Sequence, residues 1–163
     1  MDKKRYWAFM TQKRSTIYYL SCYLEKSVLI ERIYNISLAI VSTGALAWLL
    51  ASDTCQIISA IIIMLAQVAS AAKPYMPFAK RSEQLSRALP LFENIYIEIE
   101  EHWNEVEVAD KNKINEIYYD YDKKWESVKS NLLVDDALPK NPDFENIAEA
   151  KTIQYFKNFL GEE

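Results

Sequence analysis

Glycine, histidine and cysteine are scarce in this chain: two, one and two residues among 163. With only Gly44 and Gly161, no glycine-rich phosphate loop can be written into the sequence. His102, the single histidine, leaves a Ser or Cys nucleophile no base except itself, and no cysteine cluster stands beside it. A metal site can be drawn on one helix face from His102, Glu98 and Glu101, but the pattern reads as solvated helix surface. The acid pairs Glu100–Glu101 and Asp135–Asp136 read the same way, as solvated face or loop. The chain is therefore expected to have no catalytic residues, no resident metal and no enzymatic activity. Cys22 and Cys55 lie at opposite ends of a long apolar stretch, too far apart for a mutual disulfide. Five prolines and two glycines argue for long helices and few tight turns.

What the chain has is an apolar middle. Ile33–Ser52 runs twenty residues and Thr54–Ala72 nineteen without a charge, with Asp53 alone between them. As helices rising about 1.5 Å per residue, each covers roughly the 30 Å hydrocarbon core of a bilayer. The strong apolar residues of each run contribute roughly 3 kcal/mol to insertion. The competing reading is a soluble protein with two buried central helices, but the flanks are too charged and too few to enclose both. The expected fold is all-α: a two-helix transmembrane hairpin over residues 33–72, carrying a cytosolic, coiled-coil-like helical bundle. No cleavable leader is expected, because basic charges run through residues 1–30 without a short apolar core and small-residue cleavage site. Seven Lys/Arg precede Ile33, and Lys73, Lys80 and Arg81 follow Ala72, whereas the tip carries only Asp53. The positive-inside rule places both termini in the cytoplasm, with the inner (plasma) membrane as the site.

Residues 1–32 read as a basic, aromatic helix. It either lies on the inner leaflet or forms the cytosolic part of the first membrane helix, packed against the downstream module. The second reading is favoured, since nothing between Ser27 and Arg32 breaks a helix. In the second span, Gln56, Ser59, Gln67 and Ser70 share an arc of about 80°, with Ile63 among them. Polar groups in lipid need a partner helix or water, so the arc is either helix-packing glue or the lining of an oligomeric pore with an apolar ring at Ile63. Pro74 and Pro77, set between Lys73 and Phe78, mark an elbow over residues 73–80.

Residues 81–163 form the acidic helical module. Leu85, Leu89, Phe92, Tyr96, Ile99, Trp103 and Val106 recur at heptad spacing, a candidate oligomer seam. A second, out-of-register run is Ile114, Tyr118, Tyr121, Trp125, Val128 and Leu132. Either a turn near Ala109–Asn112 folds the two antiparallel, which is favoured, or one long helix carries a phase shift. Pro90 kinks the first helix or marks its effective start. A last helix is expected to start at Asn141 and Pro142, bury Phe144, Ile147, Ile153, Phe156 and Leu160, and stop at Gly161. Residues 1–32 carry net +4 and residues 80–163 net −8, which argues against nucleic acid as partner.

This layout, from the basic/aromatic first helix through the short-tipped hairpin and the Lys73–Pro77 boundary to the helical extension, resembles the SLATT family. These are two-transmembrane effector domains of bacterial nucleotide-signalling defence systems. The resemblance implies a pore-forming or membrane-disrupting effector, homo-oligomeric and held inactive until infection changes a signal, often a cyclic nucleotide from a partner enzyme. A bound nucleotide would need cations for its phosphates, and Lys80, Arg81 and Arg87 are the candidates; lipid headgroups compete for the same residues. The alternative function is a non-conducting two-span adaptor, or regulatory subunit, that presents the helical module to a partner.

Overall fold

The computed structural model describes residues 2–51, 56–133 and 138–161, with the side chains of residues 45–51, 56 and 77 outside the description. The tip at Asp53, Cys55 and the Asp135–Asp136 pair lie outside the described residues. All regular structure among the described residues is helical: α1 (Lys3–Ala51), α2 (Gln56–Ala72), α3 (Pro77–Glu101), α4 (Trp103–Val108), α5 (Lys111–Leu132) and α6 (Pro142–Leu160). A 3-10 turn, Lys73–Tyr75, follows α2. Among the described residues, one helical run, within Ile57–Val108, is long and apolar enough to cross a membrane.

The chain divides into two compact units, residues 1–24 with 84–163, and residues 25–83. The divisions read from the sequence, at 32 and around the Pro-containing stretch 73–80, follow composition, whereas these units follow contacts. α1 is unbroken from Lys3 to Ala51, so the basic N-terminal segment and the first apolar run are one helix.

The first unit is a bundle of the start of α1 with α3, α4, α5 and α6. The starts of α1, α5 and α6 each have a side-chain cap that satisfies an otherwise orphaned amide, whereas α4 begins at His102 without one. Asp2 accepts from the Arg5 amide at 2.9 Å, and Asp110 from the Lys113 amide at 2.9 Å. Asn141 accepts from the Asp143 amide at 3.1 Å, with Pro142 at the first helical position. Gly161, at φ 69°, terminates α6 in the left-handed region that favours glycine. The start and stop of α6 were legible in the sequence.

Asp110 turns the chain between α4 and α5, and the two heptad runs pack antiparallel. Phe92 meets Trp125 with ring centroids 4.3 Å apart, and His102 meets Tyr121 at 5.5 Å. α3 runs through Pro90, so that proline is not its start. The core joins Tyr6, Phe9, Met10 and Ile17 of α1 to the seam of α3, to Ile114, Ile117, Tyr121 and Trp125 of α5, and to Phe156 of α6.

Two expectations are corrected here. Leu85, Leu89, Phe92, Tyr96, Ile99 and Val106 are buried within the chain's own core, with Trp103 half-buried against it, so the seam is not an exposed oligomer surface. On α6, Ile147, Ile153 and Leu160 are exposed, while Ala148, Thr152 and Phe156 face inward. Heptad spacing identifies an apolar face but does not say whether another copy or the same chain covers it.

Candidate hairpin, elbow and bundle interior

In the second unit, α1 and α2 run side by side and antiparallel. Tyr34 donates its hydroxyl proton to the Ala69 carbonyl at 2.6 Å, and Glu31 Oε1 pairs with Lys73 Nζ at 2.9 Å. A groove of about 340 Å³ between the helices is lined by Tyr34, Leu38, Val41, Ile62, Leu65 and Ala66 among others. Away from it, large apolar side chains face outward on both helices. Ile33, Ile36 and Ile40 do so on α1 and Ile57, Ile58, Ile61, Met64 and Val68 on α2, while Val41 and Leu65, at the groove itself, are also exposed. Ile57 is 75% exposed and Ile40 66%.

The polar arc of α2 is divided between these surroundings. Ser59 is fully buried, and its hydroxyl has no hydrogen-bond partner. Ile63 is half-buried, whereas Gln67 and Ser70 are exposed. The Gln56 side chain lies outside the described residues. An arc of about 80° spans more than one helix contact, so its members need not share one neighbour.

The elbow residues bracket the break between α2 and α3. Pro74 sits inside the 3-10 turn, where the Lys73 carbonyl accepts from the Met76 amide at 3.0 Å. Met76 is extended, at ψ 135°, and its carbonyl then accepts from Ala79 at 3.1 Å. Pro77 opens α3, a position whose missing N–H breaks no helical bond; its side chain lies outside the described residues. The three candidate phosphate cations are divided: Lys80 and Arg81 belong to the second unit and Arg87 to the first, and all three have interaction partners.

The first unit holds two cations of the basic N-terminal segment, for which packing against the downstream module was favoured over the leaflet surface. Lys13 is buried, pairs with Asp122 Oδ1 at 2.9 Å and lies 4.7 Å from the Trp125 ring centroid. Arg14 reaches the other way: Nη1 lies 2.8 Å from Glu93 Oε2. Its guanidinium stacks within 4.1–4.9 Å of the Tyr18, Tyr96 and Tyr155 rings. Burial alone would lower the Arg14 pKa, but the charge of Glu93, helped by Tyr18 and Tyr155, outweighs it and leaves the pKa raised. Burial pushes up the Tyr96 hydroxyl, which has no hydrogen-bond partner. Burial, and then its hydrogen bond to Glu100, push Tyr155 up to about 12. Nothing in the composition marked Lys13 and Arg14 as interior. Their signal was the aromatic positions around them, Phe9, Trp125, Tyr96 and Tyr155.

Two of the three groups drawn as a metal face, Glu98 and His102, are otherwise engaged. The Glu98 carboxylate lies 3.1 Å from Lys124 Nζ, and His102 Nδ1 lies 2.9 Å from the Tyr121 hydroxyl. An open groove of about 820 Å³ runs between α1 and α6, with Trp7 and Tyr19 among its walls. Its charged lining is Glu145 and Glu149 against Lys140, a sign that disfavours the phosphates of a nucleotide. The chain matches no protein-family model, no curated protein and no solved structure.

Proposed function

We propose that this chain is a membrane effector whose residues 33–72 insert as a two-span hairpin and which oligomerises to permeabilise the inner membrane, both termini remaining cytoplasmic. The observation that carries the reading is the outward apolar belt of the second unit, from Ile33 to Val41 on α1 and from Ile57 to Val68 on α2. In water such a belt is an aggregation surface; in a bilayer it is the solvated face. Permeabilisation rests on Gln67 and Ser70, polar residues exposed on that belt. Their amide and hydroxyl are expensive against hydrocarbon and are stabilised by a second helix or by water. Bacterial antiphage defence under a nucleotide signal is the setting that the SLATT resemblance supplies.

The test is a dye-leakage assay in proteoliposomes, paired with the mass of the detergent-solubilised particle. A defined homo-oligomer that releases dye, with release reduced severalfold in Gln67→Leu at equal protein level, is expected. A monomer that releases none overturns the reading. The adaptor alternative is favoured by the open groove between α1 and α6, a surface on which a partner can dock. It predicts that an unrelated hairpin of equal length replaces residues 33–72 with function kept.

A further inference from the structure

Three contacts converge on the base of the hairpin, all within residues 25–83. From α1, the Tyr34 hydroxyl donates to the Ala69 carbonyl at 2.6 Å, and its ring lies against Phe78 of α3 with centroids 5.6 Å apart. Three residues earlier, Glu31 pairs with Lys73, the first residue of the 3-10 turn, at 2.9 Å. One face of α1 therefore holds the end of α2, the turn and the start of α3 together.

Helix chemistry explains why the contacts fall here. Ala69 is the first of the last four residues of α2, whose carbonyls have no regular helical donor beyond the helix end. Pro74 lacks the amide that a continued helix would have aimed at the Ser70 carbonyl, one residue beyond Ala69. Tyr34 supplies a side-chain donor at this end, and Lys73 places a cation where the helix dipole is negative. Both charges of the Glu31–Lys73 pair are about 30% exposed, with side-chain values of 29% and 31%. That setting screens them less than open water does.

We infer that Tyr34 and the Glu31–Lys73 pair form a latch that holds the Pro74/Pro77 elbow against the hairpin, and that opening it changes the conduction of the spans. The coupling to conduction rests on the function proposed above; the latch itself rests on the contacts. Tyr34 acts here as a positioning residue. The Ala69 bond and the ion pair each hold α1 on the elbow, so loss of either one makes opening more frequent.

The experiment uses the full chain in proteoliposomes and two readouts, amide hydrogen exchange over Lys73–Met76 and release of entrapped dye. The variants are Tyr34→Phe, which keeps the ring, Tyr34→Ala, Lys73→Glu and the charge swap Glu31→Lys/Lys73→Glu. Exchange is expected to rise at least about fivefold in Tyr34→Ala and Lys73→Glu. A smaller rise is expected in Tyr34→Phe, and the swap is expected to return exchange toward wild type. Dye release is expected to change in parallel. Unaltered exchange in all single variants overturns the latch. Raised exchange with unaltered release from a wild type that does conduct overturns the coupling. A wild type that conducts nothing refutes the proposed function instead, and the exchange readout then still decides the latch.

Discussion

Arg14 carries a planar charge among three phenol rings, and planarity is what the site uses. Lysine would keep the charge but lose the stacking on Tyr18, Tyr96 and Tyr155 and the fork toward Glu93. Arg14→Lys is expected to destabilise the bundle by about 1–2 kcal/mol, read from denaturant unfolding in detergent. Tyr155 gives a pH signature. Its folded pKa, raised to about 12 by burial and by Glu100, exceeds the ordinary tyrosine value of 10.0, so folding favours the neutral phenol. Its stabilising contribution is complete below pH 10.0 and is lost as pH rises toward 12. Helicity followed with phenolate absorbance should fall across that window, and Tyr155→Phe should shift the fall to higher pH. A cation beside aromatics suits a headgroup layer as well as a bundle interior; the unbroken helix favoured packing against the downstream module, and Lys13 and Arg14 pair there with Asp122 and Glu93.

At the scale of elements, ends were legible and faces only half so. Asn141-Pro142 and Gly161 announce α6 because caps and helix stops are local chemistry. Asn141→Ala is expected to cost about 1 kcal/mol of stability, measured by thermal unfolding. The same helix misled on its face: Ile153 and Leu160 are apolar yet exposed, whereas Thr152 is buried and donates its hydroxyl to the Ala148 carbonyl at 2.7 Å. Facing depends on neighbours that are distant in sequence, and α6 packs on Trp7 at the far end of the chain. The seam of α3 illustrates the same limit. Because Phe92 is buried beside Trp125 within one chain, Phe92→Ala should lower stability by about 3–5 kcal/mol while the particle mass in detergent stays unchanged.

For the whole molecule, the outward apolar belt of the second unit makes a direct prediction. The protein should sediment with membranes and resist alkaline carbonate, and Leu65→Arg, at an exposed belt position, should shift it toward the soluble or degraded fraction. A charge near a span centre costs about 2.5–3.5 kcal/mol, comparable to the whole insertion margin of one run. The apolar middle was legible because length and charge-free composition are sufficient to mark it. Tyr34 was not, because its value lies in meeting Ala69 and Phe78 at once, which only the folded hairpin arranges.

The bundle is assembled from two pieces of chain, residues 1–24 and 84–163, with the other unit inserted between them. A ribosome therefore releases both apolar runs long before it releases Phe156, the partner of Trp7. During that interval the first twenty-four residues have no completed bundle to join. On the function proposed above, translation order puts membrane insertion of the apolar runs first and bundle closure second. Pulse-labelled chains halted before residue 142 should already be membrane-bound yet protease-sensitive in their N-terminal helix.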